Sequence, residues 1–248
     1  MYIDVCFNAH ALTPTDVHGR VVLVIDVLRA STTIAVALAS GARAVIPFES
    51  AEEAIARSKS FERQDVRLAG ERRMRTIPGF DLGNSPREFT REAVEGKTIL
   101  FTTSNGTAAL TSIKEARDVV VGSYVNFAAT CAFMRAAARA DTDIVIVCAG
   151  RDRQFSLEDA VCAGRYVRGI AQGDLEPRLS DGALAACLLD TRHGENPMEL
   201  FQLSSHGRAL AEAGFADDLA VCAAVDAYPV VPVYQERQIV RLGHVRER

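Results

Sequence analysis

The sequence predicts an α/β protein, a three-layer α/β/α domain with a mostly parallel or mixed sheet and a helical C-terminal portion. Three observations predict it. Short apolar runs alternate with helix-like segments along most of the chain. The runs are continuous, as in Val21-Val22-Leu23-Val24-Ile25 and Ile144-Val145-Ile146-Val147, the pattern of strands buried on both faces. After about residue 172 this rhythm gives way to helix-like sequence.

Taken in order, strands are expected near 2–7, 21–26, 43–48, 66–69, 97–102, 117–121 and 143–148, with a last one near 229–234. Helices are expected near 31–40, 50–60, 86–94, 106–114, 126–139 and 157–171, with shorter ones over 180–225. Pro232 inside Val230-Val231-Pro232-Val233-Tyr234 places that strand at an edge or bulge. No Pro/Gly/Ser-rich linker divides the chain, so residues 1–248 are read as a single domain.

Composition excludes several classes. The 248 residues are 48% hydrophobic and 24% charged, which is ordinary for a folded protein. A net charge of −4 and the absence of Trp argue against nucleic-acid binding. No apolar run reaches a membrane span, and the first residues lack a signal-peptide layout, so a cytoplasmic location is expected. The six cysteines include no CxxC pair and mostly sit in apolar segments, against structural zinc or a disulfide framework. Homo-oligomerisation is left open.

The most informative stretch is Asp26-Val27-Leu28-Arg29-Ala30-Ser31-Thr32-Thr33, between a buried strand and a helix. Ligands bind at the C-terminal ends of strands in open α/β sheets. A carboxylate suited to a divalent cation stands here beside Arg29, Ser31 and Thr32, donors suited to an anion, as phosphoryl chemistry requires. Plain helix capping by Ser31 to Thr33 is the competing explanation.

Other strand ends repeat the theme. Glu71 and Arg72 follow the strand at 66–69, and a loop then leads to Gly79-Phe80-Asp81-Leu82-Gly83-Asn84-Ser85-Pro86. Ser85, Pro86 and Glu88 form a capping signature, which leaves Asp81, Asn84 and the two glycines as ligand-contact candidates. Asn105, Gly106 and Thr107 offer an anion nest without a P-loop lysine. Arg151 follows the strand at 143–148, and Glu158 and Asp159 open the next helix. These two acids either complement the helix dipole or hold Mg²⁺ together with Asp26.

Together these motifs, over residues 20–170, resemble the 2-phosphosulfolactate phosphatase family, and GFDLGNSP following GER is the specific part. One departure is Met74, where a glycine is expected. The resemblance implies a Mg²⁺-dependent phosphatase hydrolysing (R)-2-phospho-3-sulfolactate, a small anionic phosphoester, in a coenzyme M pathway. On that reading Asp26, with Glu158 or Asp159, holds Mg²⁺. Arg29 and the Asn84/Ser85 and Asn105/Thr107 loops hold phosphoryl oxygens, and Glu71 is a general base or stands behind the metal. Arg72 or Arg151 receives the sulfonate or carboxylate.

Rival chemistries fit less well. Asp26-Val27-Leu28 lacks the second Asp of a DxD nucleophile motif, and no cysteine has Arg at the Cys-x5-Arg spacing. Arg192-His193-Gly194 matches the RHG signature of metal-independent histidine phosphatases, but in a late, helix-like context. A non-catalytic protein binding phosphometabolites or nucleotides through the same loops is the remaining alternative.

Overall fold

The computed structural model of the protein describes residues 1–104, 113, 115–173 and 175–243. Among these, eleven strands form one sheet. In chain order they are β1 (Tyr2–Cys6), β2 (Val21–Ile25), β3 (Ala44–Pro47), β4 (Val66–Arg72), β5 (Arg75–Thr76), β6 (Thr98–Thr102), β7 (Asp118–Gly122), β8 (Ile144–Cys148), β9 (Arg178–Leu179), β10 (Pro232–Gln235) and β11 (Gln238–Arg241). Their spatial order is β5-β4-β6-β3-β11-β10-β7-β2-β8-β1-β9.

Two parallel blocks make up the sheet. β4, β6 and β3 form one, and β7, β2, β8, β1 and β9 form the other. The hairpin β10–β11 lies between them, antiparallel to β7 on one side and to β3 on the other. Three antiparallel steps separate the blocks, so their strands run in opposite senses through the ladder. In a flat sheet their C-terminal ends would lie at opposite edges. Residues at the C-terminal ends of β2 and β4 nevertheless line one cavity. The helix Ala30–Ala39 packs against β7, β3 and β10, with nine of its ten residues buried. Being apolar on nearly every side, it suits a position covered all round.

Alternation along the strands splits the core into two faces. Leu23, Ile25, Val120, Ile144 and Ile146 face one layer, into which Met134, Val161 and Tyr166 pack. Val22, Val24, Val119, Val121, Val145 and Val147 face the other, with Ile34, Val36 and Leu38. The helices Asp181–His193, Pro197–Leu203, Ser205–Leu210 and Ala216–Ala223 form the expected C-terminal portion. Among the described residues no helix is long and apolar enough to cross a membrane.

Several elements differ from expectation. The proline-bearing strand is interior, because Pro232 is the first residue of β10 and pairing with β7 begins only at Val233. A proline at a strand's first position removes no ladder donor that β7 needs. The segment at 86–94 is a 3₁₀ turn, Pro86–Glu88, followed by the short helix Arg91–Val94. Most of the helix expected at 106–114 lies outside the described residues.

Candidate active site

At the end of β2 the chain turns through Asp26–Arg29 into the helix Ala30–Ala39. The cap residue is Arg29; the hydroxyls expected to cap the helix lie inside its first turn and serve the turn itself. Ser31 Oγ accepts from Asp26 N–H at 2.8 Å. Thr32 Oγ1 donates to Val27 O at 2.9 Å and lies 2.7 Å from Ser123 Oγ. The hydroxyls of Ser31 and Thr32 are therefore engaged in local structure, and neither residue lines the adjoining cavity. Asp159 fastens the turn from outside, accepting from Val27 N–H at 2.8 Å and Gly150 N–H at 3.3 Å.

That cavity, of about 210 Å³, opens where the two blocks meet. Asp26 and Arg29 enter it from the end of β2, Glu71 from the end of β4, and Arg73 and Met74 from the β4–β5 turn. Asn84, Thr103 and Ser104 close a further side. Arg151 and Asp152 come from the loop after β8, and His206 and Leu210 from the C-terminal helices.

Asp26 is buried, and burial pushes its carboxyl up to about 6. His206 and the Ala30 N–H oppose that rise, while the Glu71 and Glu158 charges add to it. Burial, with the charges of Asp26 and Glu158, likewise pushes Asp159 well above the ordinary carboxylate range. Both Asp159 oxygens accept from backbone N–H groups and so hold the turn, and Asp159 does not line the cavity. Glu158 Oε1 is engaged 3.1 Å from His206 Nδ1. Asp26 lines the cavity together with the carboxylates of Glu71 and Asp152.

Arg29 is 3% exposed, and its Nη1 lies 2.6 Å from Asp218 Oδ2. Its Nη2 donates to Met74 O at 3.4 Å, and its guanidinium sits 4.2 Å from the Phe215 ring centre. Asp218 accepts a further hydrogen bond from Ser85 Oγ at 2.7 Å. Ser85 thus braces the carboxylate that braces Arg29, and does not line the cavity. Glu88 completes no capping box with it; Glu88 accepts from Gly83 N–H at 2.6 Å instead.

Glu71 ties two loops together, accepting from Met74 N–H and from Ser104 N–H, each at 2.8 Å. Arg72 is tied down outside the cavity, donating to Glu71 O, Glu49 O and Thr102 Oγ1. Its neighbour Arg73 reaches the cavity instead. Asp81 also lies outside, accepting from Leu68 N–H at 2.8 Å and pairing with Arg63. Asn84 does line the cavity, and its Oδ1 has no hydrogen-bond partner among the described residues. Asn105, Gly106 and Thr107 lie outside the described residues.

Asp218, Phe215, His206 and Arg73 were not anticipated from the sequence. The first three sit on helical segments where a polar or aromatic residue reads as a solvated face or core. Arg192-His193-Gly194 ends the helix Asp181–His193 and contributes nothing to the cavity. Gly194 donates to Asp190 O at 2.7 Å, and a Cβ there would meet Asp190 Oδ1 at 1.9 Å, so packing alone explains the glycine.

The family described as 2-phosphosulpholactate phosphatase matches residues 6–237. The chain is 43% identical to a probable 2-phosphosulfolactate phosphatase of Symbiobacterium thermophilum, over 90% of this chain and 95% of the relative. It is 38% identical to a protein of the same name from Caldanaerobacter subterraneus subsp. tengcongensis, over 94% and 95% of the two chains. With the Clostridium beijerinckii protein of that name the identity is 34%, over 96% and 99%. The alignments run through the C-terminal helices that supply Asp218 and His206, and the chain belongs to the 2-phosphosulpholactate phosphatase family.

Proposed function

We propose that this protein is a Mg²⁺-dependent phosphoric monoester hydrolase that converts (R)-2-phospho-3-sulfolactate to 3-sulfolactate and phosphate. The observation that carries this reading is the fixed guanidinium of Arg29 beside Asp26 in one small cavity. Family membership supplies the substrate class. On the same reading, the product feeds coenzyme M biosynthesis in the cytoplasm.

The donor set fits a hard divalent cation through Asp26. Its carboxylate is buried among like charges, and a cation there would relieve that repulsion. Among the described residues no three His, Cys, Asp or Glu side chains converge to hold an ion by themselves. Mg²⁺ commonly makes up most of its shell from water and phosphate oxygens, with one or two carboxylates. When bound, it would neutralise phosphoryl charge and activate water.

The chain's own residues supply the rest. Arg29, held by Asp218 and Phe215, presents preorganised donors to phosphoryl oxygens without reorganising during the reaction. Arg73 and Arg151 line the same cavity and would receive the sulfonate and carboxylate of a multiply charged substrate. Glu71 keeps the β4–β5 turn and the Ser104 backbone in register around the cavity.

Phosphate release from 2-phosphosulfolactate tests this reading. Turnover should vanish in chelator and return with Mg²⁺. Arg29→Lys, which keeps the charge but loses the fork, should lower kcat/KM on the order of a hundredfold. Tight binding of the ester without phosphate release would instead favour a non-catalytic binding protein. Full turnover in chelator would exclude the metal.

A further inference from the structure

A secondary alkoxide leaves phosphorus poorly unless it receives a proton. His206 is built into the cavity in a way that meets this need. It lies on the short helix Ser205–Leu210, and its imidazole shares the cavity with Asp26 and Arg29. Its Nδ1 is 3.1 Å from Glu158 Oε1; the side chains are 14% and 2% exposed, respectively. With Nδ1–H donated to the Glu158 carboxylate, Nε2 is the ring nitrogen left to exchange a proton with a ligand. His206 makes no other side-chain hydrogen bond to the described residues, so Nε2 is available to a ligand.

We propose that His206 is the general acid of the hydrolysis and that Glu158 is its positioning residue. This inference rests on the phosphatase reading of the site. The water oxygen forms its bond to phosphorus as the bond from phosphorus to the bridging oxygen breaks. The bridging oxygen departs with the bonding pair and takes the Nε2 proton, becoming the carbinol of sulfolactate. The neutral ring then accepts the proton shed by the attacking water and is restored. Atoms and charge balance with no further reactant.

A general acid matters in proportion to how badly the leaving group needs its proton. Phosphate release from 2-phosphosulfolactate, an alkyl ester, is therefore compared with release from 4-nitrophenyl phosphate, whose phenolate departs unaided. His206→Asn and His206→Gln should lower kcat on the alkyl ester on the order of a hundredfold or more, and on the nitrophenyl ester by less than about fivefold. Glu158→Gln should show the same selectivity with a smaller loss, and it serves as the test if both His206 variants misfold by circular dichroism. Mn²⁺ affinity, read by electron paramagnetic resonance, should be unchanged in the His206 variants. Equal losses on both esters, no loss on either, or weakened Mn²⁺ binding would overturn the assignment. A wild-type protein that releases phosphate from neither ester would refute the phosphatase reading itself, a separate outcome.

Discussion

At Asp26, burial and neighbouring carboxylates set stability against function. With burial as the main cause, its carboxyl is pushed up to about 6 from the ordinary 3.8. A carboxyl whose folded pKa lies above its unfolded one makes the folded state bind the proton more tightly. Without metal, stability should therefore fall as pH rises from about 4 to 6, and the full penalty should persist above 6. Asp26→Asn removes the charge and keeps an acceptor for the Ala30 N–H. In chelator, the variant should match wild type near pH 3.5 and exceed it near pH 7.5, by up to about 3 kcal/mol. Urea unfolding at the two pH values measures this, and a variant less stable at pH 7.5 would contradict it. Asp26, Arg29, Glu71 and Arg151 were legible because each follows an apolar strand closely in sequence, and Asn84 because the Ser85-Pro86 capping signature beside it left it unexplained. Asp218 and His206 were not, because nothing local marks an acid in Ala216–Ala223 or a histidine after Ser205 as facing a cavity built by distant strands.

Among the elements, the β4–β6 pair carries the tightest constraint near the site. Gly70 has φ +151°, and a Cβ there would meet Thr102 O at 2.0 Å. Gly79, at φ +84°, has nothing within 4 Å of its Cβ position. Gly70→Ala should therefore suffer both strain and overpacking, losing on the order of 2–3 kcal/mol, against about 1 kcal/mol for Gly79→Ala. In thermal melts that is a drop of roughly 5–10 °C against 2–4 °C. Equal drops would mean that the strands part easily to admit the methyl group. Gly83, expected to admit a ligand, instead makes room for Thr76 Oγ1 and the Glu88 carboxylate. The two hairpins were hard to see for a different reason. Their two-residue turns, Arg73-Met74 (φ 51° and 68°) and Glu236-Arg237 (φ 50° and 64°), need left-handed backbone but lack the usual Asn-Gly signal. The glycine expected at 74 reflects that same φ. Strands β2, β6, β7 and β8 were legible because continuous apolar runs can only be buried on both faces.

Over the whole molecule, the C-terminal third closes the fold as well as completing the site. The motifs that identify the family lie within residues 20–170, as though that portion carried the catalytic unit. The sheet order says otherwise, since β10–β11 is the hydrogen-bonded link between the two parallel blocks. Asp26 belongs to one block and Glu71 to the other, so the cavity exists only while the hairpin holds them together. Without it, β7 and β3 would each expose an unpaired edge, and Val119, Val121 and Val45 would lose Tyr234 and Ile239 from their cluster. A chain ending at Ala227 retains every helix of the C-terminal portion and lacks the hairpin with its flanking residues. It should aggregate or unfold without a single sharp transition in urea, and release no phosphate. The distant edge gives the contrast: β9 pairs with β1 over two residues, so Arg178→Pro should leave the transition cooperative. A chain ending at Ala227 that melts as sharply as the full chain would show that helix Ala30–Ala39 alone can hold the blocks in register.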